Sequence, residues 1–181
     1  MCIRDSARLT FGGQVELPAS VAAIHPLRNL VLLRYDPTAL DDSAVRDARF
    51  ASQAAAPGDR VWLISRDSDN RIVAHSTEVT SLRGLNPPLS RSFGFRQTNL
   101  DAYAVVNPAG VRSGAMVNAS GELLAYWSAY STRGQNNGTR WNYYGMPAAS
   151  VRNGIEQMTL GRMIHSSVSY TQLTLPTIYS V

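Results

Sequence analysis

The stretch from Asn107 to Tyr130, NPAGVRSGAMVNASGELLAYWSAY, constrains the fold more than any other part of this 181-residue chain. A Gly-containing turn leads into a short strand-like segment, Ala115 to Asn118. A second turn at Ala119-Ser120-Gly121 then leads into a longer strand-like segment, Glu122 to Tyr130. Two extended segments joined by a turn ending in Gly predict a β-hairpin, because Gly accepts the positive φ such turns need. A chain built around a hairpin must pair its two remaining strand edges with something. The rest of the sequence supplies the candidates.

From the N-terminus, Ala7 to Phe11 and Gln14 to Leu17 flank Gly12-Gly13, a hairpin signal, and Ala19 to Ile24 continues as an apolar strand. Leu30 to Tyr35 is a continuous apolar run that predicts a buried strand, ended by Asp36-Pro37. Residues 38–57 are rich in Ala and Asp and predict at most a turn of helix. Pro57-Gly58-Asp59 is a turn, and Arg60 to Ser65 is the next strand. Arg71 to Leu82 reads as a strand with a mid-course irregularity, Asn86-Pro87-Pro88 as a loop, and Asp101 to Val106 as the strand entering the central hairpin. Trp127 and Tyr126, Tyr130, Tyr143 and Tyr144 supply aromatic bulk at one end of the core. Ser131 to Thr139 is expected to be a polar Gly/Asn loop. Pro147 to Met158 is the one convincing helix, with Val151, Ile155 and Met158 on one face. Many short strands and one late helix predict an all-β barrel or sandwich in a single domain.

All 17 basic residues are Arg, spread from one end to the other without a cluster, so the net charge of +4 reads as a solvated surface. No apolar run approaches the length of a membrane span. The first residues, MCIRDS, and the last, VSYTQLTLPTIYSV, resemble translated sequencing-adapter DNA, as found in assembled metagenomic reads. On that reading 1–6 and 168–181 are artefacts, 7–158 is the domain and 159–167 is a linker. The single cysteine, Cys2, then falls outside the natural segment, which has no disulfide and no Cys metal site. That segment is expected to be an incomplete piece of a longer protein.

Four blocks in order resemble trypsin-like serine proteases of the HtrA/DegP branch. His25-Pro-Leu-Arg-Asn-Leu-Val-Leu-Leu-Arg34 is similar to that family's Asp-Leu-Ala-Leu-Leu strand, and Pro57-Gly-Asp-Arg-Val-Trp-Leu-Ile64 to its Gly-Asp-x-Val turn and strand. The 110–121 hairpin resembles the nucleophile loop, and Gly145-Met146-Pro147 before a helix resembles the Ile-Pro and closing helix. The strand ending Tyr35-Asp36-Pro37, the segment 95–100 and Gly121-Glu-Leu-Leu-Ala-Tyr-Trp-Ser128 are similar to the second trypsin-like domain of the large tandem proteases of the nuclear, pro-apoptotic type. In those proteins the second unit is degenerate and serves architecture, while the first cleaves. The resemblance implies a double β-barrel, here short of its N-terminal strands, with one C-terminal helix. It also implies, as partners, an active protease domain and PDZ-like domains in the same parent chain, and polypeptide substrates. The compartment stays open, with a bacterial periplasm or cell envelope as the expectation.

A Ser-His-Asp mechanism needs a Ser to attack, a His to take its proton and a carboxylate to orient the imidazole. Without gaps, the nucleophile position of the family pattern falls on Arg112 and not on Ser113, and the acid position falls on Asn29. The family's His lies upstream of the first matching strand. His25 is too near Asn29 in sequence to be that base, and its bland reading is an imidazole bonded to backbone at a strand end. Ser113 could serve as nucleophile if the loop shifted by one residue and an imidazole came within reach. His25, His75 and His165 have no metal-ligand spacing, and no cofactor is implied. Three readings follow. The first is a non-catalytic trypsin-like scaffold or regulatory module of a multi-domain HtrA-like protease. The second is an active serine endopeptidase using Ser113, and the third is a basic β-barrel binding nucleic acid.

Overall fold

The computed structural model describes residues 6–11, 15–25, 30–40, 45–85, 100–133 and 139–160. Among these residues nine strands and one α-helix form two units. Strands β1 (Ser6–Phe11), β2 (Val15–His25) and β3 (Leu30–Tyr35) make an open antiparallel sheet in the order β1-β2-β3. Strands β4 (Arg60–Arg66), β5 (Ile72–Leu85), β6 (Leu100–Val105), β7 (Gly114–Val117), β8 (Leu123–Arg133) and β9 (Thr139–Pro147) close into a barrel ordered β4-β5-β6-β9-β8-β7. Helix α1 (Ala148–Thr159) follows β9 directly and packs against β8 and β2. Among the described residues no helix is long and apolar enough to cross a membrane.

The all-β, trypsin-like expectation is met by one closed barrel and one open sheet. Pro18 lies inside the central strand β2, where a missing N–H would break a ladder. Register explains why it is tolerated: β3 reaches β2 only as far as Tyr35 opposite Ala19, so at Pro18 the strand has β1 as its one neighbour. The irregularity expected in the 71–82 strand is a register shift between Val79 and Ser81, where β5 bends to meet β6. One expectation is corrected. Residues 131–133 and 139 are not loop but continue β8 and β9, paired from Ala125–Pro147 out to Arg133–Thr139. Polar composition suggested a loop, yet Trp141, Tyr143 and Tyr144 are strand-forming aromatics, and Tyr143 and Tyr144 pack against the two core clusters.

Alternation places Val61 and Leu63 of β4, Val79 of β5, Tyr103 of β6, Met116 of β7 and Trp127 of β8 inside the barrel, each buried. A second cluster joins Ala102 and Met146 of the barrel to Val151 and Ile155 of α1, with Leu30 of β3 and Phe50 of the connecting segment. That segment is stitched to the start of β8 by Ala51 N–H to the Leu123 carbonyl (2.9 Å) and Leu123 N–H to the Arg49 carbonyl (2.7 Å). The sheet therefore reaches the barrel through the helix and this connector. Helix α1 begins one residue later than expected: Pro147 is its N-cap, at φ −54° and ψ 140°, and closes β9.

Candidate functional site

The corner between β6 and β7 is built from the chain outward. Asn107 lies two residues beyond β6 and folds the following turn on itself, its Oδ1 accepting the Ala109 N–H at 2.9 Å. Val111 N–H donates to the Pro108 carbonyl at 2.8 Å across Ala109 (φ 47°) and Gly110 (φ 75°). Both central residues are left-handed, the geometry of a type I′ turn. For Ala109 that conformation costs about 1 kcal/mol, because its Cβ crowds the next carbonyl. The side chain of Asn107 offsets that cost by satisfying the Ala109 amide. Val111 then turns inward and is buried, while Arg112 and Ser113 stand exposed on the outside of the corner.

Three contacts hold this turn to the barrel. His75 Nε2 lies 3.2 Å from the Asn107 carbonyl oxygen. Trp127, fully buried, donates its indole Nε1–H to the Val111 carbonyl at 2.9 Å. Gly114, at φ 152°, runs so close to β4 that a Cβ there would overlap the Ile64 carbonyl oxygen and come within 3.0 Å of the Ile64 carbonyl carbon. The chain at Gly114 can therefore carry no side chain.

The residues named by the sequence part company here. Arg112 and Ser113 are adjacent, and both are exposed. Asn29 and His165 lie outside the described residues, as do the 86–88 loop and most of both terminal segments. Among the described residues the Ser113 hydroxyl makes no hydrogen bond to an imidazole. His25 is buried on β2, with its Nε2 3.1 Å from Gln157 Oε1 of α1, a side-chain partner that sequence reading did not supply. His75 comes nearer the corner, but its Nε2 faces a carbonyl, which only accepts. That nitrogen must carry a proton and cannot take one from Ser113. Ala109 and Val111 spend their N–H groups inside the turn, so neither is available to stabilise an oxyanion.

Beside the corner an open hollow of about 340 Å³ is lined by Arg60, His75, Thr77, Glu78, Val106 and Asn107. Ser113 does not line it. Among the described residues no group of three or more His, Cys, Asp or Glu could hold a metal. Several Arg side chains are engaged on separate elements: Arg8 with Glu16 (3.3 Å), Arg66 with the Asn70 carbonyl (2.8 Å), and Arg83 over the Tyr144 ring (5.5 Å). Sequence reasoning missed His75, Gly114 and Trp127 as parts of this corner. Sequence composition counted Trp127 among the aromatic bulk of the core, and nothing local showed what it would meet.

No protein-family model matches the sequence. The chain is 26% identical over 157 residues to pro-apoptotic serine protease NMA111 of Eremothecium gossypii, covering 86% of this chain and 16% of that protein. It is also 26% identical over 157 residues to protease Do-like 7 of Arabidopsis thaliana, covering 81% of this chain and 14% of that protein. The chain thus spans about 16% of the length of the first curated relatives it matches. The solved HtrA-type protease AlgW, with a decapeptide, shares the fold at a TM-score of 0.54 and 15% identity, over 86% of this chain and 45% of that one. Barrel order, closing helix and these likenesses agree: the chain has the trypsin-like fold and is similar to serine proteases of the HtrA type.

Proposed function

We propose that this domain is non-catalytic and works as a scaffold or regulatory module of a multi-domain HtrA-like serine protease. Two features support the reading: Arg112 falls against the nucleophile position of the family pattern, and the adjacent Ser113 hydroxyl has no imidazole partner among the described residues. An Arg side chain cannot attack a carbonyl, and a Ser without a base is a weak nucleophile at neutral pH. On this reading its partners are the active protease unit and PDZ-like domains of the same parent chain. The interior core that keeps the barrel closed then serves binding geometry rather than chemistry.

The test is covalent labelling with a fluorophosphonate probe, read by intact mass on the wild type and on Ser113→Ala. The expected result is no adduct on either protein above background. Stoichiometric labelling of the wild type that disappears in Ser113→Ala would overturn the reading in favour of an active endopeptidase.

A further inference from the structure

Three adjacent strands bring Gly114, Trp127 and Gly145 into one row: Trp127 of β8 stands directly opposite Gly114 of β7 on one side and Gly145 of β9 on the other. Residues paired in this way point to the same face of a sheet. Here the largest side chain available is flanked by two positions with no side chain at all. Neither glycine has room for one. A Cβ at Gly145 would lie 2.9 Å from the Ala125 Cβ and 3.4 Å from Trp127 Cε3, and a Cβ at Gly114 would strike the β4 backbone. The indole is thus seated without exposure, and its one polar atom is spent on the Val111 carbonyl of the 107–114 turn.

We infer that Trp127 is a positioning residue that locks the 107–114 turn from inside, so that the Arg112–Ser113 corner is a rigid platform and not a loop that rearranges. Three features make this more than core packing. The hydrogen bond is to the turn rather than to β8's own neighbours, across 16 positions of sequence. It holds the carbonyl of Val111, the residue immediately before Arg112, and so sets the direction in which the chain leaves the barrel. It also acts with the His75–Asn107 contact at the start of the turn and the Gly114–Ile64 approach at its end. The segment is therefore clamped at both ends and in the middle. A buried indole N–H that lost this acceptor would be left unsatisfied at a cost of the order of a hydrogen bond's desolvation, so the two groups hold one another in place. The inference extends the non-catalytic reading and does not depend on it.

Hydrogen exchange followed by NMR on the whole chain tests it. In the wild type, the Trp127 indole N–H should exchange at least about 100-fold more slowly than that of Trp141, which is 64% exposed. A Trp127 indole exchanging as fast as the Trp141 indole would overturn the lock without any variant. In Trp127→Phe, which keeps a ring and removes the donor, the Val111 amide should exchange about ten-fold faster or more, while the Val61 and Leu63 amides keep their rates. An unchanged Val111 amide, or an equal acceleration at all three positions, would reduce Trp127 to packing alone. Fluorophosphonate labelling of the same wild-type sample separates the two ideas. An adduct with the expected exchange pattern removes the non-catalytic reading and leaves the lock, and no adduct with fast indole exchange does the reverse.

Discussion

The barrel closes β4 to β9 on themselves and encloses Leu63, Met116 and Trp127 completely, although Ile72 and Trp141 of its strands are 69% and 64% exposed, whereas the sheet of β1 to β3 encloses none of its described apolar side chains completely: Leu17 and Ala19 keep 6%, and Ile24 and Val31 are 62% and 53% exposed. Both units use the same strand-forming residue types. What differs is closure. A closed barrel has an inside on which every alternate side chain can be buried by strands opposite, while an open sheet is buried only where another layer covers it. Here that cover is α1, which meets the sheet at His25 and Gln157 and at the cluster around Leu30, Phe50 and Val151. The candidate site follows the same division: everything that shapes the Arg112–Ser113 corner belongs to the barrel, and the sheet contributes no described contact to it.

Substitutions in the two units should differ in their cost. Gly114→Ala should have the largest effect, a loss of about 4 kcal/mol, since its Cβ would meet β4 backbone that cannot step aside. A urea midpoint close to that of the wild type would show that β7 can move away from β4 and that the barrel is less tightly closed than described. Next, Leu63→Ala in the barrel should cost about 3–4 kcal/mol and Leu17→Ala in the sheet only about 2 kcal/mol, because the open unit collapses more readily around a lost side chain. Equal losses for the two, with the same steepness of unfolding, would mean that the sheet and barrel share one core.

The smallest effect lies at alkaline pH and concerns the joint between the units. Burial, aided by the nearby Tyr126, pushes the Tyr130 hydroxyl up to about 12. The folded state thus holds the neutral phenol. Its contribution is complete below the ordinary value of 10.0 and is lost as pH rises from there through about 12, because the unfolded chain ionises first. Tyr103, buried in the barrel, is raised in the same direction. Denaturation midpoints followed through this range should fall with pH, and Tyr130→Phe should lessen the slope. An unaltered slope in that variant would place the alkaline sensitivity in the barrel, at Tyr103, instead of at the joint.

Much of the fold was legible in the chain. Leu30 to Tyr35 is a strand with the bounds its apolar run indicates, and Arg60 to Arg66 and Ala148 to Thr159 lie within a residue of expectation. The hairpin at 114–130 also came through, its second turn closed by Asn118, whose Oδ1 accepts the Ser120 and Glu122 amides at 3.0 and 2.9 Å. These features depend on side-chain period and on turn residues acting over a few positions. Strand β9 was overlooked because Gly and Asn before it outweighed the strand-forming aromatics Trp141, Tyr143 and Tyr144 within it. His25 could be placed on a strand, but the Gln157 that meets it is 132 positions away.

Local period and turn residues thus carry the strand at 30–35, the strand from Arg60 and the closing helix, and a gapless match sets Arg112 rather than Ser113 against the nucleophile position of the family pattern. Only the tertiary structure decided that His75 spends its Nε2 on the Asn107 carbonyl, and that Gly114, Trp127 and Gly145 share one row under the turn. The physical reason is register: a β-ladder joins residues by strand alignment and not by distance along the chain, and a shift of one residue would turn Trp127 out of the core and release the Val111 carbonyl it holds.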